Sequence, residues 1–283
     1  MNEKNTILLY PECDQIGKVE YIDHMGDDAA IVDAARASLG LENRGMNEKD
    51  IKLINYLMEN RHTSPFEQCE VKFRFVVPLF VARQHMRHRT FSFNELSRRY
   101  TAEDIKFFEP KEFRTQHKSN LQASNQQELI NPVIGYVPYS SKSENMGWRP
   151  VEYKFSDLLS CYTTEALKLY NLALDNGICR EQARMILPQN MYTTYIGKCN
   201  LHNLFHFLNL RTTEHVQLEM RKVAFAIQRF IEQLFPVATM TWAYWKNINA
   251  KTKKVFELLG KDEKRLNQMI NTLETENINE NIS

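Results

Sequence analysis

The chain has 283 residues, 43% of them apolar, enough to bury the core of one large domain or two ordinary ones. Its 36 Lys and Arg nearly balance 35 Asp and Glu, so net charge gives no reason to expect nucleic acid or membrane partners. No apolar run approaches the ~20 residues that span a bilayer. Met1-Asn2-Glu3-Lys4-Asn5 lacks the charged start and apolar middle of a secretory signal, and a cytoplasmic protein is expected. Cys13, Cys69, Cys161, Cys179 and Cys199 are odd in number and scattered, with no Cys-x-x-Cys pair. That pattern argues against a disulfide scaffold or a zinc site and predicts reduced thiols with no bound metal.

Lys18 to Met25 alternates as a strand should, and Asp27 or Asp28 then caps a helix carrying Ile31, Ala34 and Ala35. Residues 47–60 predict a second helix, with Asn47 as its cap and Ile51, Ile54, Leu57 and Met58 on its apolar stripe. Arg61 to Pro65 breaks the chain. Phe66 to Val77 is the clearest strand: Cys69, Val71, Phe73, Phe75 and Val77 on one side oppose Glu70, Lys72 and Arg74 on the other. Pro78 opens a helix to about His88, after which Arg89 to Glu95 loses helical period, so a loop is expected before helix resumes. Residues 114–150, rich in Asn, Gln, Ser and Lys, read as a long polar excursion. Val151 to Asn176 and Cys179 to Leu187 are helical, Met191 to Cys199 is a strand, and Asn200 to Leu210 is helical again. Glu214 to Phe235 predicts a long helix with Val216, Met220, Val223, Ala224, Ile227 and Ile231 facing in.

Against this balanced background, Arg83, Arg87, Arg89, Arg98 and Arg99 fall within seventeen residues with His85 and His88, offset only by Glu95. Such density repels itself unless a ligand or partner neutralises it. The guanidinium fork suits phosphate, and the interspersed Ser and Asn add neutral donors.

The segment Arg87-His88-Arg89-x-x-Ser92-x-x-x-x-Ser97-x-Arg99 resembles, at every fixed position, the signature of the flavin-dependent thymidylate synthases. Six fixed positions, at ~5% for each residue type, coincide by chance about once in 10⁸ windows. The resemblance extends to Met25-Gly26-Asp27-Asp28, Ala34-Ala35-Arg36, His62-Thr63-Ser64-Pro65-Phe66-Glu67 and Phe207-Leu208-Asn209-Leu210-Arg211, over roughly residues 15 to 245. It implies methylation of dUMP to dTMP, with methylenetetrahydrofolate as carbon donor and FAD, reduced by NADPH, as hydride carrier. It further implies that Gln84, His85, Met86 and Arg87, the stretch Glu95, Leu96, Ser97, Arg98 and Arg99, and the distant Arg184 and Arg211 bind dUMP. Arg99, Arg184 and Ser97 would take the phosphate, and Arg211 would stabilise the ionised pyrimidine. An arginine cannot act as a base, but it can stabilise an anion. FAD is assigned Ser64, Arg87, His88, Arg89, Glu95, Asn200, Leu201, His202 and His206, partly across subunits, and His62 lies near the folate. No dinucleotide-binding glycine fingerprint occurs among the nine glycines, so the flavin must bind in another way. Where relatives often carry Arg and His, this chain has His202 and Gln68, and flavin contacts there are expected to differ in strength.

From the residues alone, Arg211 is equally explained as a buried arginine paired with Glu214 or Glu219. Ser97 has no His-Asp pair to activate it and is assigned to substrate binding. Cys69 belongs to the apolar strand face, so no thiolate nucleophile is expected. The rival reading is a single-stranded nucleic-acid-binding module, with Phe91, Phe93 and Tyr100 stacking bases among the Arg83–Arg99 cations. Taken together, the expected protein is an α+β single domain over residues 1–250, with a central, largely antiparallel sheet flanked by helices and a charged tail over 251–283. It is expected to form a homotetramer with shared active sites. Arg87 and Arg89, about 200° apart at ~100° per residue on a helix, would serve different pockets, with FAD between protomers.

Overall fold

The computed structural model describes residues 5–40, 46–121, 123–136 and 151–259. Part of the polar excursion, 137–150, and the tail from residue 260 lie outside them.

Five strands form one antiparallel sheet: β1 (Thr6–Leu8), β2 (Lys18–Met25), β3 (Glu70–Pro78), β9 (Tyr192–Asn200) and β4 (Ser92–Glu95), in that order across it. The chain is therefore α+β with a helix-flanked antiparallel sheet, as expected. Alternation decides the two faces. Val19, Val71, Phe73, Phe75, Val77, Tyr195 and Cys199 are buried in one core, while the opposite face carries the Lys18–Glu20, Arg74–Glu20 and Lys198–Glu70 ion pairs. The core face packs against α4 (Leu79–His85), α7 (Leu201–Arg211) and α8 (Leu218–Leu234).

The two aspartates after β2 divide the capping work. Gly26, at φ +81°, turns the chain, and Asp27 caps α1 (Asp28–Arg36) by accepting from Ala30 N at 2.9 Å. Asp28, itself buried, instead accepts from Val237 N at 2.8 Å and Ala238 N at 2.9 Å, capping the distant helix α9 (Pro236–Leu259). In α2 (Glu48–Glu59), Asn47 and Asp50 form a capping box. Ile54 and Leu57 are buried as expected, but Ile51 is exposed, and the fully buried Asp50 is bonded to Arg36.

Several boundaries shift. Ser64–Glu67 forms a short helix, α3, so β3 starts at Glu70 rather than Phe66. Helix α4 stops at His85, so Arg87 and Arg89 occupy a turn, and the 200° helical divergence expected between them does not apply. Ser92–Glu95 is not loop but edge strand β4, and no helix follows it: residues 98–100 form a turn. The polar excursion contains the hairpin β5 (Phe113–Gln116) with β6 (Ser124–Ile130), then β7 (Val133–Tyr136), which pairs with β8 (Val151–Lys154). Helix α5 (Phe155–Asp175) accordingly begins four residues late, and α8 begins at Leu218 rather than Glu214. Short α6 (Arg180–Ala183) and a 3-10 turn, Arg184–Ile186, complete a smaller core around Tyr170, Ala183 and Met191. No helix among the described residues is long and apolar enough to cross a membrane.

Replacing Asp28 by Ala strands two amide donors at the start of α9. The expected loss is about 2–4 kcal/mol, smaller for Asp28→Asn, which keeps one acceptor, and urea unfolding at fixed protein concentration measures both.

Candidate active site

The β3–β9 pairing sets Glu70 opposite Asn200 and Pro78 opposite Tyr192, so the helices that follow the two strands, α4 and α7, both lie on the core face. The turn after α4 then meets the end of α7. There Arg211 Nε donates to His88 Nε2 at 2.8 Å. No carboxylate pairs with Arg211 among the described residues: Glu219 is held by both oxygens on Arg114 Nη2, at 2.7 and 2.9 Å, and Glu214 engages Arg221 only through its carbonyl. The Glu214 or Glu219 alternative for Arg211 is thereby removed. The guanidinium keeps its charge while burial lowers its pKa from the ordinary value.

His85 is fully buried, ringed by Phe75, Phe91, Phe93 and Phe207 with centroids 4.8 to 5.1 Å away. Its Nδ1 is bonded to Tyr195 Oη at 2.8 Å, and its Nε2 has no hydrogen-bond partner. The cage closes over Gly197, where a Cβ would meet Phe75 at 3.0 Å and Phe93 at 3.2 Å. Burial, then the neighbouring His88 and Arg211, pushes His85 down to about 3. Burial, Arg211 and His206 push His88 down to about 4. Both imidazoles are neutral at physiological pH.

A second group follows β4. Glu95 Oε1 accepts from Thr193 Oγ1 at 2.7 Å, and Leu96 N donates to the Thr194 carbonyl at 2.9 Å, anchoring the loop to β9. Ser97 Oγ accepts from Arg99 N at 3.3 Å, and exposed Arg99 donates to Tyr100 Oη at 3.1 Å. Arg98 is different in kind. It is buried, and its guanidinium donates to the Glu103 carbonyl at 2.6 Å and the Asp104 carbonyl at 3.4 Å, so it braces the loop from inside.

A third group gathers where α3 packs on α7. Exposed Ser64 opens α3; exposed His62 lies edge-on to Tyr56 at 5.8 Å. Asn200 caps α7 by accepting from Asn203 N at 2.9 Å, Leu201 is buried, His202 half-buried and His206 exposed. Arg184 Nε donates to the Glu181 carbonyl at 3.2 Å, next to Ala183 of the smaller core, against which Ala102 and Ile105 pack. Met86 packs on the core, and Gln84 Oε1 is sealed from water without a partner.

Among the described residues Arg87 and Arg89 are exposed and have no protein partner. Two free guanidinium groups suit a cofactor diphosphate, and the nearby neutral imidazoles add no competing anion. The residues present therefore fit FAD. Phe91 is buried and stacks on Phe93 at 5.4 Å, leaving Tyr100 as the one widely exposed ring of the three, so residues 83–100 offer no aromatic platform for a nucleic-acid module.

Residues 20–237 match the family described as thymidylate synthase complementing protein. A flavin-dependent thymidylate synthase from Thermus thermophilus is 43% identical over 236 residues, spanning 83% of this chain and 77% of the relative. The chain belongs to this family. One from Ruegeria pomeroyi is 38% identical over 236 residues, covering 83% of this chain and 73% of that one. A solved UMP/dUMP methylase from Streptomyces cacaoi, bound with 5-bromo-UMP, superposes with a TM-score of 0.62 at 30% identity over 81% of this chain and 94% of its own. As a flavin-dependent thymidylate synthase, the enzyme is a methyltransferase with FAD as cofactor.

Tyr195 and Thr193 hold the site from β9, and Phe207 holds it from α7, roles that sequence reasoning does not assign to them. Their only signal is aromatic and β-branched alternation, which core packing also produces. The place of Cys199 is likewise hidden in the sequence: its Sγ lies 3.6 Å from the Thr90 carbonyl, inside the signature turn, where burial pushes the thiol up to about 12.

The buried histidines carry a pH signature. Their folded pKa values lie below the unfolded value near 6.5, so the unfolded chain binds more protons and stability falls as pH drops below about 6.5. Each histidine is expected to cost about 2 kcal/mol at pH 5 relative to pH 7.5. Urea midpoints at the two pH values should show a shallower drop for His85→Phe than for the unmodified protein; equal drops contradict the assignment.

Proposed function

We propose that the enzyme converts dUMP to dTMP, taking its one-carbon unit from methylenetetrahydrofolate and its reducing equivalents from NADPH. The observation that carries this reading is the charge on Arg211, which no carboxylate among the described residues neutralises and a neutral imidazole holds. A guanidinium left uncompensated in a half-buried site favours an anion, and a pyrimidine ring that ionises during methylation is one. The similarity to thymidylate synthases and to a UMP/dUMP methylase supports the same substrate.

In this reading Arg99, Arg184 and Ser97 bind the phosphate, and Gln84 belongs to the wall of the nucleotide site. His85, Met86 and Leu96 shape the pocket around the nucleotide. Arg98 acts from beneath, bracing the loop that presents Ser97 and Arg99. Arg87, Arg89, Ser64, Glu95, Asn200, Leu201, His202 and His206 hold FAD, which supplies the hydride when bound and reduced. His62 borders the folate. The buried Cys69 and Cys199 thiols, both pushed up to about 12, are unsuited to attack on the ring.

The family resemblance favours a homotetramer in which protomers complete one another's sites. The domain would span residues 1–250, with 251–283 as a charged appendage, in the cytoplasm.

Arg211→Ala should lower turnover by ~10²- to 10³-fold while leaving flavin content intact. Tritium release from C5-labelled dUMP, measured beside flavin absorbance, checks both; near-normal turnover removes Arg211 from catalysis. A folded protein with all five cysteines replaced by Ala should still form dTMP, and a specific block at one position would reinstate a thiolate mechanism. Refolding inactive Arg99→Ala with inactive His206→Ala should restore part of the activity, because a mixed interface contains one intact site. If verified hetero-oligomers stay inactive while each parent assembles normally, each chain builds its site alone.

A further inference from the structure

His88 stands inside the signature turn, where resemblance assigns it to the flavin, yet its geometry faces elsewhere. It is only 9% exposed, its ring is edge-on to Phe207 at 4.8 Å and to His85 at 6.4 Å, and its Nε2 is taken by Arg211 Nε. Because Nε2 accepts, the imidazole must be neutral and carry its proton on Nδ1. That Nδ1 is not among the buried atoms that lack a partner, so the N–H faces the water-reachable edge of the site.

From this geometry we infer that His88 is a positioning residue for Arg211: its neutral imidazole holds the guanidinium by Nε, leaving the two terminal nitrogens for an anionic substrate, and the same bond fixes Nδ1–H as an outward donor. The arrangement has a layered support. Tyr195 Oη fixes His85, the aromatic cage around His85 includes Phe207, and Phe207 packs against the His88 ring. The charged and titratable groups around His88 are Arg211, His206 and His85, all cationic or neutral. A proton on His88 would break the bond and oppose Arg211, and burial with these neighbours holds the imidazole at about 4, so the bond persists through the physiological range. An acidic partner would instead have neutralised Arg211, which explains the choice of a histidine here.

The inference rests on Arg211 facing the nucleotide, and its test separates the two. His88→Phe keeps the ring shape and removes the acceptor, whereas His88→Gln restores an acceptor near the Nε2 position. In the FAD-loaded enzyme, His88→Phe should weaken dUMP binding by calorimetry and lower turnover by ~10²-fold, with flavin content unchanged. His88→Gln should recover most of both. In an Arg211→Ala background the two substitutions should be indistinguishable, since the interaction they differ in is gone. Loss of flavin from His88→Phe, or full additivity with Arg211→Ala, overturns the inference. An unmodified protein that binds FAD but neither binds nor methylates dUMP overturns the functional reading instead. Should His88→Phe fail to fold, His88→Leu, which also lacks the acceptor, takes its place: equal relative losses of dUMP affinity with and without Arg211 refute the inference.

Discussion

The pairing of β3 with β9 is the constraint on which the rest depends. These strands are more than a hundred residues apart in sequence, and their nine-pair antiparallel register runs from Glu70 opposite Asn200 to Pro78 opposite Tyr192. Phe75 and Tyr195 stack across it at 5.0 Å, and Tyr195 then reaches His85. Each strand is followed directly by a helix, α4 after β3 and α7 after β9, so one register fixes both. A one-residue slip would reverse every side chain and expose Phe73 and Phe75. Packing therefore specifies where a guanidinium meets an imidazole, and the chemistry inherits its precision from the core.

Charge is handled differently in the core and at the site. Elsewhere three buried carboxylates are paired with cations: Asp50 with Arg36, Glu219 with Arg114, Glu20 with Lys18 and Arg74. At the site it leaves cations without carboxylates among the described residues, an arrangement that is unfavourable until an anion binds. Binding energy for an anionic ligand is thus present before the ligand arrives, held by uncharged groups such as His88 and the Tyr195–His85 pair.

Much of this was legible in the sequence where patterns are local. Strict alternation located β3, richness in Tyr and Thr located β9, and Asn47 marked the start of α2. The signature spacing pointed to anion binding and, through resemblance, to the family. What was not legible depends on distant partners. Asp28 looks like a cap for its own helix, but its acceptors serve α9, some 209 residues away. Four residues, Ser92 to Glu95, cannot declare themselves a strand without β9 beside them. Ile51 appeared buried because apolar spacing favoured it, whereas the Arg36 ion pair and capping box turned Asp50 inward. The fate of Arg211 turned on Arg114, which emerges from a polar stretch that showed no period and yet supplies the cation that occupies Glu219. Sequence periodicity reports burial; it does not report which of two acids a given arginine finds.

The most direct measurement of the central claim is an experimental structure of the protein with FAD and dUMP both bound. The account predicts the Arg211 guanidinium facing the pyrimidine ring, with its Nε still bonded to His88 and no carboxylate within ion-pair distance. A pyrimidine bound away from Arg211, or Arg211 turned onto an acidic side chain, would contradict it.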